Sequence, residues 1–128
     1  MRAAKAYQAV GQHTAVMAAG TLDLVLLLYD KLLDRLREAK QAIEAGDIAA
    51  RGQFTGLAIE IIEKGLIGSL DERRGGELAQ RLRGQYEMWM VQLIKANLEA
   101  AVPQLESVES QVRTVRSAWQ ELKTTTQP

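Results

Sequence analysis

The sequence has no cysteine, one histidine, one phenylalanine and only two prolines, Pro103 and Pro128. Without cysteine there are no disulfides and no thiolate chemistry. A single histidine, His13, cannot supply the two Glu-x-x-His motifs of a di-iron bundle, and with cysteine absent it leaves no zinc site built from His and Cys. A Ser-His-Asp hydrolase would have to use His13, in a segment with little periodicity. Alternating strand patterns are missing, so no glycine-rich phosphate loop follows a strand. Neither sign of charge is in excess: Lys and Arg number 16, Asp and Glu 16. That balance gives no electrostatic reason to expect nucleic acid or an anionic membrane as partner. No apolar run is long enough to span a bilayer; Leu24 to Tyr29 is bounded by Asp23 on one side and by Asp30 and Lys31 on the other. The opening "MRAAKAYQAVGQHTAV" lacks the apolar core of a secretory signal, so the expected location is the cytoplasm.

What is abundant is Ala, Leu, Glu, Gln, Arg and Lys, the good helix formers. With 128 residues, 47% of them hydrophobic, the chain is sized for one globular domain with its own core. The pattern predicts an all-α fold: an antiparallel four-helix bundle with an additional short N-terminal helix. Residues 1–20 read as that short helix (about 3–12) and a linker, 21–123 as the bundle, and 124–128 as a disordered tail.

The punctuation is specific. Thr21 is placed to cap a helix running to about Ala45, with Asp23 in its first turn. Gly46 suits a left-handed C-terminal cap and Asp47 the next N-cap. A helix is predicted over 48–70, a turn at "DERRGGE" (71–77), a helix over 77–100, and a last helix with Pro103 in its first turn. Core stripes fall at Leu22, Leu26, Tyr29, Leu33, Leu36 and Ile43; at Ile48, Thr55, Ala58, Ile59, Ile62 and Leu66; at Leu78, Leu82, Gln85, Trp89, Leu93 and Ala96; and at Leu105, Val108, Val112, Val115, Trp119 and Leu122.

The last helix has one narrow apolar stripe and is otherwise polar. The three before it carry more. Leu24, Leu27 and Leu28 form a surplus on the first, Phe54, Leu57 and Ile61 on the second, and Tyr86, Met90 and Ile94 on the third. Neighbours in a simple four-helix bundle cover less than half of each helix. The surplus therefore needs a fifth element: either the chain's own N-terminal helix, anchored through Tyr7, or a partner. Gly52, Gly56, Gly65 and Gly68 sit in one predicted helix, where each costs about 1 kcal/mol relative to Ala. Close packing against a neighbouring helix explains such glycines, as does room or pliability for a partner at Gly52 and Gly56. The charges lie among one another at helical spacing and read as a solvated face.

Several blocks, in order, resemble a known family: "AYQ" (6–8), "LVLLLYDKLL" (24–33), "AKQAIEAGD" (39–47), "SLDERRGGELAQRL" (69–82), "QLIKANL" (92–98) and "VRSAWQEL" (115–122). Together they resemble the flagellin export chaperone family, FliS, over nearly the whole chain. The resemblance implies a non-enzymatic cytoplasmic chaperone without cofactor or metal. Its partner would be the disordered C-terminal segment of flagellin, kept from polymerising early and presented to the flagellar export gate. It also implies that the client wraps the bundle and partly replaces the N-terminal element. The residues assigned to partner binding on this reading are Tyr7, Leu24, Leu28, Phe54, Leu57, Ile61, Met90, Ile94 and Asn97. The chain departs from the family's usual pattern at Lys31, where glycine is common after "YD", at "AAGT" (18–21), at Met88 and at Gln92. Two rival readings accompany it: a helical adaptor or homodimeric structural bundle with another client, and a small helical enzyme built on buried Arg and Glu. The nearly all-apolar stripes speak against the second.

Overall fold

The computed structural model describes residues 21–126. The expected N-terminal helix and linker, with Tyr7, lie outside the described residues. Four helices follow in order: α1, Leu22–Ala45; α2, Ile48–Glu60, continued by a π-helical segment, Ile61–Ile67; α3, Glu72–Glu99; and α4, Val102–Thr126. The described residues form no extended sheet, and the fold is the all-α bundle that composition and periodicity predict.

The connections are made by the residues suited to them. Gly46 takes φ 71°, the left-handed conformation open to glycine at little cost, and the Asp47 N–H bonds back to the Ala42 carbonyl at 2.9 Å. The Asp47 carboxylate then accepts from the Ala50 N–H at 3.0 Å, capping α2. Asp71 repeats the device for α3, accepting from the Arg74 N–H at 3.0 Å. Here the structure differs from the sequence expectation. The helix does not wait for Glu77; it opens at Glu72, and Gly76 interrupts it with φ 54°, ψ −130°. The double glycine is a break, as its composition suggests, but the capped turn ahead of it is already helical. At the far end of the chain, α4 runs to Thr126, into the stretch expected as a tail.

Ion pairs fix the direction of packing. Asp23 meets Lys123 at 2.8 Å, Asp30 meets Arg116 at 2.6 Å, and Lys40 meets Glu106 at 2.8 Å. As numbers rise along α1 they fall along α4, so the two helices are antiparallel. α1 also packs on α2, and α3 on both α2 and α4, which closes the bundle.

The core is built from Leu26, Tyr29, Leu32, Leu36, Ala58, Ile62, Leu66, Trp89, Leu93, Leu105, Val108, Val112 and Trp119, with smaller residues between. The stripe on α1 is rotated from the sequence expectation. Val25, Leu32 and Ala42 are buried, whereas Leu22, Leu33 and Ile43 only border the core. Leu22–Leu33 is apolar on several sides, so periodicity alone does not choose the inward face. Ile48, expected inside, is 71% exposed because it is the first residue of α2, at the end of the bundle. Tyr86, assigned to a surplus strip, is buried, and Gln85 takes the rim instead.

The centre of the core is an aromatic cluster with satisfied polar tips. The Tyr29 and Tyr86 hydroxyls share a hydrogen bond of 2.7 Å, and the Trp119 indole N–H donates to the Tyr29 hydroxyl at 3.3 Å. The Tyr29 and Trp89 rings meet edge to face, with centroids 6.4 Å apart. Burial pushes both phenols up, Tyr86 to about 12. Trp89 donates its indole N–H to Gln111 Oε1 at 3.0 Å, and Gln85 Nε2 donates to the same oxygen at 3.2 Å. Gln85 thus sits at the rim as a polar cap over the Trp89 edge.

Candidate functional site

Beyond this core, helix faces remain apolar and uncovered among the described residues. Leu24 and Leu27 are each 51% exposed on α1, and Leu57 stands out on α2. On α3, Met88, Val91, Ile94 and Leu98 are all exposed. These last four recur at three- and four-residue steps on the face opposite Tyr86, Trp89, Leu93 and Ala96, so α3 is apolar front and back.

Between α1 and α2 the surplus forms a groove of about 610 Å³. Leu28, Lys31, Asp34 and Arg35 make one wall; Leu57, Glu60, Ile61, Lys64 and Gly65 make the other. Gly65 sets its depth at one end. A Cβ there would lie 3.0 Å from Leu28 Cδ1, so glycine lets the π-helical segment and α1 come together under the groove. Of the four glycines singled out from the sequence, the packing explanation thus applies at Gly65. A side chain at Gly52 or Gly56 would meet nothing within 4 Å.

The residues assigned from the sequence do not all share one environment. Leu24, Leu57 and Ile94 are exposed. Leu28, Phe54, Ile61 and Met90 are half-buried and pack against the core on their inner sides. Leu28, Leu57 and Ile61 meet in the groove; Met90 and Ile94 belong to α3. Asn97 has a partner within the chain: its Oδ1 accepts from Arg51 Nε at 3.0 Å, tying the start of α2 to the end of α3. Tyr7 lies outside the described residues. The sequence reading missed Met88, Val91 and Leu98. Their three- and four-residue spacing with Ile94 was the available signal, and the assignment of Leu78, Gln85 and Trp89 as the core line drew attention from the opposite side.

Among the described residues no group of three His, Asp or Glu side chains could hold a metal ion, and no helix is long and apolar enough to cross a membrane. The geometry is that of an all-α bundle whose core is closed and whose spare apolar surface, among the described residues, is laid out along helices.

Comparison with known proteins gives this class a family. The model of the family described as Flagellar protein FliS matches residues 3–126. The flagellar secretion chaperone FliS of Salmonella typhimurium is 35% identical over 118 residues, 92% of this chain and 87% of that protein. Its counterpart in Escherichia coli is 37% identical over 91% of this chain and 86% of its own length. The flagellar secretion chaperone FliSB of Pseudomonas aeruginosa is 38% identical over 93% and 94%. The chain belongs to the FliS family of flagellar secretion chaperones, a non-enzymatic family.

Proposed function

We propose that this protein is a cytoplasmic chaperone that binds the disordered C-terminal segment of flagellin, prevents its premature polymerisation and delivers it to the flagellar export gate. The observation that carries this reading is the apolar surplus on α1, α2 and α3, arranged as long rows along the bundle. A disordered segment that folds on binding wraps such extended surfaces, and its amphipathic turns fit grooves between helices. Family membership supports a flagellar client. A filament subunit that must not assemble before export is a client whose own assembly surface needs covering, and apolar rows of this kind cover apolar rows.

Calorimetry tests the reading. The purified chain is titrated with flagellin from the same cell and with flagellin lacking its C-terminal segment. Binding to the first and not to the second is expected. Equal binding to both, or binding to neither, would remove the proposal.

A further inference from the structure

The groove between α1 and α2 has an uneven charge balance on its rim. Asp34 is held by Arg37 at 3.3 Å, and Glu60 by Lys64 at 3.1 Å, so both acidic groups of the lining already have cations. On α1, Arg35, Arg37 and Lys40 each hold a carboxylate: Arg35 takes Glu38 at 3.0 Å, and Lys40 takes Glu106 at 2.8 Å. Lys31, exposed on the groove wall, holds none among the described residues. The one lining charge without a partner among the described residues is therefore the Lys31 cation, on one wall above an apolar floor of Leu28, Leu57 and Ile61.

The shape selects the form of the occupant. Leu57, Ile61 and Gly65 lie at four-residue steps along one wall, and Leu28 and Arg35 lie two turns apart on the other. The walls are two helices side by side, and the trough between Leu28 and Arg35 is about 10 Å long at 1.5 Å per residue. That length takes about two turns of a third helix laid along it, its apolar residues down and its flank against Lys31.

We infer that this groove receives an amphipathic helix of the client that carries an Asp or Glu side chain on one flank, and that Lys31 reads that carboxylate. Lys31 is then a specificity residue: the apolar floor gives affinity to any greasy helix, and the lysine favours one register and one client sequence over others. This deepens the reading under Proposed function and rests on it.

The experiment uses the full chain and a peptide of the flagellin C-terminal segment, by calorimetry in about 50 mM and about 500 mM salt, since an exposed charge pair weakens as the Debye length shortens. Lys31→Gln should weaken binding about two- to fivefold at the lower salt and less at the higher, and Lys31→Glu more than Lys31→Gln. Arg113→Gln, which removes the same charge from α4 outside the groove, should change little. Peptides with each Asp or Glu neutralised in turn should contain one whose loss is silent in the Lys31→Gln background, the mark of a coupled pair. Lys31 is exposed, so its variants should melt as the parent does. A client that binds the parent and Lys31→Gln equally at both salts would overturn the inference and leave the proposed function standing. Strictly additive effects for every carboxylate, or coupling only to the peptide's terminal carboxylate, would overturn the assignment to an acidic side chain. Failure of the parent chain to bind the peptide would overturn both readings together.

Discussion

Helices α1 and α4 lie side by side, antiparallel, and carry their apolar residues in opposite ways. On α4, Leu105, Val108, Val112, Trp119 and Leu122 are all buried, and no large apolar residue of the helix is exposed. Its outer face is Glu, Gln, Ser, Thr and Arg, the pattern of a helix that meets the core on one side and water on the other. α1 buries Val25, Leu26, Tyr29, Leu32 and Leu36 and still shows Leu24 and Leu27 to the outside. Both helices answer to the same core, so the core does not explain the difference. What α1 carries in addition is surface that folding leaves uncovered among the described residues, and exposed apolar surface of this kind calls for a cover, either the chain's own N-terminal residues or a partner.

The comparison can be broken by mutation, beginning on the closed side. Trp119→Ala empties the centre of the α4 stripe and strips the Tyr29 hydroxyl of its indole donor; a loss of about 3–5 kcal/mol is expected in denaturant unfolding. Tyr29→Phe keeps the ring and removes the hydroxyl that joins Tyr86 and Trp119. Two buried polar groups then lose a partner, and about 1–3 kcal/mol should follow. The same cluster predicts the alkaline limit of the fold. An unfolded tyrosine releases its proton near pH 10, while Tyr86 in the fold holds it to about 12. Between those values the unfolded state binds fewer protons than the folded one, so stability is full below pH 10 and falls as pH rises towards 12; melts across that range check it. On the open side, Leu24→Asp should shift stability by no more than about 0.5 kcal/mol, since the side chain is exposed, while weakening flagellin binding. Leu24 is a cleaner probe than Leu28, whose methyl groups also pack over Gly65 and the core.

How much of this was legible in the sequence follows from local chemistry. The α1–α2 corner could be read because Gly46 and Asp47 have one conformational use each there, and the α4 stripe because apolar and polar residues alternate cleanly at helical spacing. The inward face of α1 could not, because leucine occupies several faces of Leu22–Leu33 and burial is decided by what packs against it. The start of α3 was missed because "DERRGG" reads as a turn by its glycines, although Asp71 caps helix-forming residues ahead of Gly76. Of the candidate surface, the surplus on α1 and α2 was visible as excess leucine and isoleucine. Of the outer row of α3 only Ile94 was singled out, since the exposure of Met88, Val91 and Leu98 goes with Tyr86 turning inward to meet Tyr29. The groove, with a Lys31 that is unpaired among the described residues, belongs to the tertiary structure and has no signature in a single helix.

Methyl NMR of the chain, titrated with the flagellin C-terminal segment, tests the central contrast most directly. The methyl groups of Leu24, Leu27, Leu57 and Ile61 should shift and gain contacts to the peptide, while those of Leu105, Val108 and Val112 hold their positions. Saturation of the titration with the α1 and α2 methyls unmoved would contradict the account.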